Sequence, residues 1–427
     1  MGKALQFHTS ASRQDAALMF LLGLISTWQI LQVAGIALST LLTLVLMVYF
    51  IFLRKPVVRQ DKTILLLAVL YTITTVLSLF VGFNGNGFLK ASLIGYVQWI
   101  GALVLCYYVS RESKQQASDA FMIGLDWSCR VQLGWCVLQI LCYKGIGLDI
   151  NDLIFDRLLH MTTETSMYRN GTLVCTGLHW HAASLVPVLV FTFFRHQTLL
   201  PKLLCIAIAY LTKHATTFIA IFMCVGCQML VMLKRILVDQ HGRVRRRNAI
   251  ITMVVVAIGI ALSGMLWAKL SEMILYLLQR FWEALNPSTG NESSATHLGY
   301  YTKLPYIYSQ IPWWQILFGT GLGTSGYYFG EFYLQFPGVV WVVESDVVNE
   351  LLSTGILGAI AHYSLLLVTM VRLRKAERGK HQYWMFPVLA AAGVLYNNQF
   401  IWVKMLEMML YYRAKNQLRR GNKRTNS

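Results

Sequence analysis

The sequence predicts an all-α integral membrane protein with about twelve transmembrane helices. Of its 427 residues, 56% are hydrophobic and only 13% are charged, whereas soluble domains are about a quarter charged. The mean hydropathy is +0.52, and apolar runs of about twenty residues, the length that spans a bilayer as a helix, recur along the chain. Since a backbone in lipid must satisfy its own hydrogen bonds, we expect these runs to be helical.

The candidate spans divide the chain into three parts. Residues 1–268 contain nine spans and an external loop at about 144–177, residues 269–346 form a large external loop, and residues 347–427 contain three spans and a basic tail. The first apolar run has no small-residue cleavage site and is followed at once by the second, so we interpret it as a retained helix. The predicted spans are 16–33, 36–53, 63–83, 91–109, 120–143, 178–194, 199–213, 215–233, 249–268, 347–371, 383–397 and 399–412.

The net charge of +18 could indicate a nucleic-acid-binding protein, but the distribution of the basic residues argues against this interpretation. Lys and Arg are concentrated in alternate connections, such as 54–62, 234–247 and 372–380, and at both termini. By the positive-inside rule these segments and both termini are cytoplasmic, and the large loop faces outside. The basic residues therefore indicate topology and contact with membrane lipid, and we expect no nucleic-acid partner.

The large external loop interrupts the apolar pattern with polar sequence. Residues 271–285 have the spacing of an amphipathic helix lying at the membrane interface. A turn-rich break follows, then a Tyr-rich stretch at 297–310 that predicts a second short helix. Pro312-Trp313-Trp314 is typical of a membrane-interface anchor.

The glycine-rich stretch Gly319-Thr-Gly-Leu-Gly323 has two interpretations. Glycine permits positive φ and close backbone approach, so the stretch is either a tight turn entering the membrane or a backbone nest for phosphate. It follows no strand of a βαβ unit, which excludes a dinucleotide fingerprint.

Acidic residues gather where the tenth predicted span begins. Asp346, Asn349 and Glu350 share one helical face, and Glu344 lies just before the first turn. Such carboxylates at a membrane mouth suit general-base chemistry on a hydroxyl. They also suit a purely structural role, in which acids stabilise the helix dipole and Ser345 or Asp346 is the N-cap.

Few basic residues lie outside the cytoplasmic loops, and those near the membrane are candidates for function. Arg169 precedes the sixth span, where its guanidinium suits a diphosphate or is an ordinary surface group. Lys213 and His214 form an external turn that faces the same side. Asp126 and Arg130, four residues apart on one helix, are expected to pair with each other.

Two patterns of metal-ligating residues do not predict a metal site. His179 and His181 are two apart, a spacing that directs them to different faces of a helix. Cys224-Val-Gly-Cys227 lies in an apolar span with no second ligand pair, and the eight cysteines are expected to be mainly buried small side chains.

The late motif resembles the Wzy-type polysaccharide polymerases and the related O-antigen ligases. The resemblance is carried by Ile316-Leu-Phe-Gly-Thr-Gly-Leu-Gly, by Glu-Ser-Asp-x-x-Asn-Glu-Leu-Leu-x-Thr-Gly-Ile-Leu-Gly at 344–358, and by Arg169-Asn-Gly. It implies a GT-C-type glycosyltransferase of the bacterial inner membrane, whose active site faces outside and requires no cofactor or metal. The ligases usually carry His where this chain has Glu344, and the Ser-Asp that follows is more similar to the capsule and exopolysaccharide polymerases.

The resemblance also implies a substrate and roles for the site residues. The substrate is an undecaprenyl-diphosphate-linked oligosaccharide, transferred to a hydroxyl of a lipid-linked acceptor, and a chain-length regulator and a flippase are expected partners. Glu344, or alternatively Asp346, is the catalytic base. The expected diphosphate ligands are Arg169, Lys213, His214, Arg280 and Lys303, and the expected glycan-binding residues are His181, His297, Tyr300, Tyr301, Trp313 and Asn349.

Two other functions remain open at this point. An O-antigen ligase transfers the glycan to lipid A core, and the acceptor alone distinguishes it from a polymerase. A transporter or lipid-linked-glycan flippase has a similar number of helices. Many such transporters contain repeated halves, whereas the polar sequence of this chain is concentrated on one side.

Overall fold

The computed structural model describes most of the chain and is mostly helical. The described residues are 10–33, 36–54, 62–79, 86–109, 115–160, 166–169, 171–179, 181–237, 275, 292–332, 343–376, 381–396 and 400–425. The predicted span 249–268 and the predicted interfacial helix 271–285 lie outside this set, apart from Leu275. The Tyr-rich helix of the large loop is confirmed and extends over Glu292–Gln310.

The α-helices are numbered here in chain order. They are α1 Ser10–Ile25, α2 Leu38–Arg54, α3 Lys62–Leu79, α4 Asn86–Val109, α5 Gln115–Ile146, α6 Val186–Arg195, α7 Leu199–Leu211, α8 Ala215–Leu237, α9 Glu292–Gln310, α10 Trp313–Phe318, α11 Ser325–Phe332, α12 Asp346–Ser353, α13 Gly355–Ala376, α14 Met385–Leu395 and α15 Ile401–Thr425. A π-helical turn at Asp152–Leu158 and 3₁₀ turns at Ala182–Leu185 and Gln382–Trp384 complete the helical segments.

Two short antiparallel hairpins are present, so the all-α prediction was wrong in this detail. β1 (Gln32–Val33) pairs with β2 (Ile36–Ala37), and β3 (Met167–Arg169) pairs with β4 (Thr172–Val174). The second hairpin turns at Gly171, whose φ of +70° is the left-handed conformation that a two-residue hairpin loop requires.

The first predicted span is also shorter than expected, because α1 ends at Ile25. Side chains of α5 bind the polar segment that follows. The Thr27 and Ser128 hydroxyls lie 2.7 Å apart, and Gln132 donates to the Thr27 carbonyl at 3.1 Å. These buried partners satisfy the backbone without further helix.

Three helices of the described chain are long and apolar enough to cross a membrane: Phe88–Val109, Thr216–Lys234 and Gly355–Ala376. Five shorter apolar helices accompany them, at Leu38–Leu53, Leu65–Leu77, Ala182–Arg195, Leu199–Leu211 and Gln382–Leu395. These helices fit an integral membrane protein, while the count of twelve spans stays a prediction.

The predicted span 347–371 consists of two helices, α12 and α13, rather than one. The break falls at Thr354 and Gly355, and Gly355 has a φ of +69°. The glycine-rich loop packs against this break so closely that a Cβ on Gly355 would lie 2.4 Å from the Gly319 nitrogen. Only glycine permits both the conformation and the contact.

Two packing features position the site. α1 and α5 cross at Gly23 and Gly124, where a Cβ on Gly124 would lie 2.2 Å from the Phe20 carbonyl oxygen. Small residues that let backbones meet are typical of membrane helix pairs. A separate apolar core joins α9, α11 and α12 and holds the start of α12 in place; its buried members include Tyr300, Ile307, Tyr328, Phe329, Val348 and Leu352.

The predicted pair on α5 is confirmed. Arg130 donates to the Asp126 carboxylate at 2.8 Å, and the second oxygen of Asp126 lies 2.8 Å from the His196 ring. These groups therefore have a structural role, because they link α5 to the end of α6.

Candidate functional site

The start of α12 is fixed by a chain of hydrogen bonds. Ser345 is the N-cap and its hydroxyl accepts from the Val348 backbone N–H at 3.4 Å. The same hydroxyl lies 2.8 Å from the Tyr301 hydroxyl, which donates to the Val394 carbonyl at 2.7 Å. Because Tyr301 must donate to that carbonyl, Ser345 donates to Tyr301. The chain ties α9, α12 and α14 together, so Tyr301 supports the site through its hydroxyl.

The two acids that flank Ser345 occupy different positions. Glu344 is half-buried just before the helix, and burial raises the pKa of its carboxyl above the ordinary value. Asp346 is the first residue of α12 and lies against the backbone of α14, where a Cβ on Gly393 would lie 2.6 Å from its carboxylate oxygen. Both carboxylates interact electrostatically with the phenol of Tyr396.

Tyr396 brings the two predicted histidines to these acids. Its ring is stacked on His181, with centroids 5.2 Å apart and planes inclined by 7°, and lies 6.1 Å from the ring of His214. The two histidine rings are 5.1 Å apart, edge to face. We call Tyr396, His181, His214, Glu344 and Asp346 the Tyr396 cluster. Four of its five members were predicted as site residues from separate parts of the sequence.

The Tyr396 ring is anchored on its polar edge. Its hydroxyl lies 3.3 Å from the hydroxyl of Ser184, in the 3₁₀ turn that precedes α6. His181 is the N-cap of that turn and its Nδ1 accepts from the Ala183 N–H at 3.3 Å. The histidine and the tyrosine are therefore both held by the entrance to α6.

The β3–β4 hairpin joins two of the predicted diphosphate ligands. Arg169 is opposite Thr172 in the register, and the Lys213 ammonium donates to the Thr172 hydroxyl. Lys213 has a φ of +48°, a conformation sparsely populated by non-glycine residues. Thr172 thus links the backbone of Arg169 to the side chain of Lys213.

Other predicted residues are not part of this cluster. Tyr300 is 2% exposed and packs edge to face on Phe329 at 5.1 Å, so it is a core residue and the glycan role predicted for it was wrong. The amide oxygen of Asn349 accepts hydrogen bonds from the hydroxyls of Ser325 and Ser353. The Asn349 side chain therefore helps to pack α11 on α12.

Trp313 and Lys303 are exposed on α10 and α9. Arg280 lies outside the described residues, as do the side chains of Arg169 and His297.

The glycine-rich loop has a structural role. Its Thr320 and Gly321 N–H groups donate to the carbonyls of Leu352 and Ser353, at 2.8 and 3.1 Å. Those carbonyls end α12 and would otherwise lack helical partners. Gly319 also donates within the turn, to Gln315 at 2.7 Å. With these amides engaged, the loop fits the tight-turn interpretation and not the phosphate nest.

A buried ionisable group lies behind Asp346. The Lys404 ammonium is 2.6 Å from the nearer ring nitrogen of His362 and 5.3 Å from the ring of Trp99. Asp346, His362, Lys404 and Glu407 line a cavity of about 30 Å³. A polar cavity of that size holds one water molecule. Asp346 therefore belongs to the Tyr396 cluster and also lines this cavity.

Sequence inspection missed Tyr396, Ser184 and Thr172. One signal for Tyr396 was available: Tyr396-Asn-Asn-Gln399 is a polar interruption between two apolar runs. Lys404 and Glu407, three residues apart in the last predicted span, were a visible sign of the buried cavity.

No protein-family model matches this chain, and no curated protein matches it. Within the described ranges, no three His, Cys, Asp or Glu side chains are grouped so that they would hold a metal ion.

Proposed function

We propose that this protein is a bacterial polysaccharide polymerase of the inner membrane. It transfers an undecaprenyl-diphosphate-linked glycan to a hydroxyl of a lipid-linked acceptor, on the outer side of that membrane. The observation that supports the proposal most directly is the Tyr396 cluster, in which the Tyr396 ring packs on two histidines and its phenol interacts electrostatically with two acids.

Glu344 is the general base in this proposal. Burial raises the pKa of its carboxyl, which brings its basicity closer to what an operating pH near neutrality demands. It removes the proton of the acceptor hydroxyl, and the resulting oxygen attacks the anomeric carbon of the donor. One bond forms between that oxygen and carbon, and the bond from the carbon to the diphosphate oxygen breaks.

The diphosphate leaves with the bonding electron pair, so the site must stabilise developing negative charge. Lys213 and Arg169 supply positive charge, and His214, which follows Lys213 in the chain, has its ring 6.1 Å from that of Tyr396. The Tyr396 ring, which is stacked on His181, positions the two histidines in the site.

The test uses the purified full-length protein in liposomes with a lipid-diphosphate-linked oligosaccharide as both donor and acceptor. The wild-type protein is expected to produce a ladder of products on the lipid carrier. Glu344→Gln is expected to slow the reaction about 10²- to 10⁴-fold, the contribution of a positioned base. Glu331→Gln, the same substitution on α11, is the matched control and is expected to retain activity.

Three outcomes separate the alternatives. A full ladder from Glu344→Gln would remove Glu344 from the role of base. Transfer by the wild-type protein to a lipid A core acceptor, without a ladder, would identify a ligase. Movement of the lipid-linked glycan across the membrane without a new glycosidic bond would identify a flippase.

A further inference from the structure

A large cavity lies at the carboxyl-terminal ends of two candidate membrane spans, α8 and α13. It has a volume of about 820 Å³, within the range of small-molecule binding sites. Its walls come from the carboxyl-terminal turns of α8 and α13 and from residues 381–384. The lining residues are Leu230, Val231, Lys234, Met370, Val371, Arg374, Lys375, His381, Tyr383 and Trp384.

The lining changes from apolar to basic along both helices. On α8, Leu230 and Val231 come one turn before Lys234, and on α13, Met370 and Val371 come one turn before Arg374 and Lys375. Because Thr216–Lys234 and Gly355–Ala376 have the length and composition of membrane spans, this order runs from hydrocarbon toward the membrane surface.

Two aromatic side chains also line the cavity, and such residues are enriched at the level of lipid head groups. Tyr383 and Trp384 come from the 3₁₀ turn that closes the cavity. Within the described part of the chain, the buried indole N–H of Trp384 has no hydrogen-bond partner. An unpaired donor on a side chain that lines the cavity would gain a hydrogen bond from a ligand oxygen.

The electrostatics favour an anion. Basic residues at helix carboxyl ends often only complement the helix dipole, whose negative end carries about half an elementary charge. Two such ends do not balance the three cations Lys234, Arg374 and Lys375, all of which are exposed. The dipole also does not explain why cations of two separate helices converge on one cavity.

We propose that this cavity is a binding site for an anionic phospholipid of the surrounding bilayer. The phosphate contacts Lys234, Arg374 and Lys375, an ester oxygen or the phosphate accepts from Trp384, and an acyl chain lies along Val231 and Val371. The basic loops after α8 and α13 are cytoplasmic by the positive-inside rule, so the lipid belongs to the cytoplasmic leaflet. This site is separate from the Tyr396 cluster and does not depend on the proposed reaction.

The test measures binding of phosphatidylglycerol and phosphatidylcholine to the detergent-solubilised full-length protein by native mass spectrometry. A basic residue near a lipid phosphate contributes about fivefold in affinity, so Lys234→Gln/Arg374→Gln is expected to weaken phosphatidylglycerol binding about 30-fold. Lys90→Gln/Lys144→Gln removes the same charge from exposed positions elsewhere and is expected to have little effect.

A second variant tests the apolar part without a change of charge. Val371→Trp places an indole on the proposed path of the acyl chain and is expected to weaken phosphatidylglycerol retention. Circular dichroism and gel filtration check the fold of each variant, and if the double variant does not fold, Val371→Trp decides alone. Equal binding by Val371→Trp and wild-type protein would overturn the proposal. So would equal losses in the two double variants, or wild-type affinity for phosphatidylcholine equal to that for phosphatidylglycerol.

Discussion

Gly393→Ala is the smallest change that tests whether the position of Asp346 matters. Gly393 lies within α14, three residues before Tyr396, and its α-carbon faces the Asp346 side chain. An added Cβ would lie 2.6 Å from the carboxylate oxygen and 3.0 Å from the Asp346 Cβ. Every titratable group of the site remains present in this variant.

The displacement can be worked out from these distances. Ordinary contact begins at 3.4 Å, so the carboxylate oxygen must move by about 0.8 Å, and the first turn of α12 moves with it. Misplacement of about 1 Å at a reacting centre lowers a rate about 10²-fold. Stability is expected to change little, because alanine favours an α-helix over glycine by about 1 kcal/mol, which offsets part of the strain.

The assay is the rate of polymer formation from the lipid-linked oligosaccharide, measured together with the thermal unfolding midpoint. Gly134→Ala on α5 is the control, because a Cβ there meets no atom within 4 Å. We expect Gly134→Ala to retain activity and Gly393→Ala to lose about 10²-fold while still folding. Wild-type activity in Gly393→Ala would show that the packing of Asp346 on α14 has no part in the reaction.

Three further predictions concern stability. Ser345→Ala removes an N-cap and the hydrogen bond to Tyr301, and it is expected to lower the free energy of unfolding by about 1 kcal/mol. The loss of stability in Ser345→Ala/Tyr301→Phe should be smaller than the sum of the two single losses, and strict additivity in a double-mutant cycle would contradict the coupling. Lys404→Met removes the hydrogen bond to the buried His362 ring and is expected to destabilise by about 1–3 kcal/mol; no loss in chemical denaturation would contradict this. Burial raises the pKa of the Glu344 carboxyl, so protonation of this group stabilises the folded state at pH values below its unfolded-state pKa of about 4.3. This stabilisation is lost as the pH rises through the folded-state pKa. Glu344→Gln should therefore raise the melting temperature at pH 7 but not at pH 4.

Local patterns in the sequence predicted the start of α12 well. Ser345 followed by acids before an apolar face is a helix start that depends only on neighbouring residues, and the structure confirms it. The pair Asp126–Arg130 was predictable for the same reason, because four residues bring two side chains together on one helix.

Contacts between distant segments were not predictable in this way. The break at Gly355 depends on Gly319, 36 positions away, whose backbone enters the same space. The role of Tyr396 depends on rings from the entrance to α6 and from the turn between α7 and α8. The pattern of a single sequence does not show which loops contact each other, so Tyr396 could not be distinguished from the other tyrosines.

Burial separated Tyr300 from Tyr301 where sequence could not. The two are adjacent on α9, so their side chains point to different sides of the helix. Tyr300 enters the core against Phe329, whereas the hydroxyl of Tyr301 reaches Ser345 and Val394. The helical pattern of the loop was too polar overall to show which side was covered.

The environments of the two acids favour Glu344 over Asp346 as the base. Asp346 is the first residue of α12, where the helix dipole stabilises a negative charge, and it lies between Gly393 and the cavity of Lys404. Packed against Gly393, the Asp346 side chain is well suited to hold α12 and α14 together. Glu344 precedes the helix and carries a pKa raised by burial, so it gains more from accepting a proton. In the proposed reaction Asp346 therefore positions the site, and Glu344 takes the proton of the acceptor.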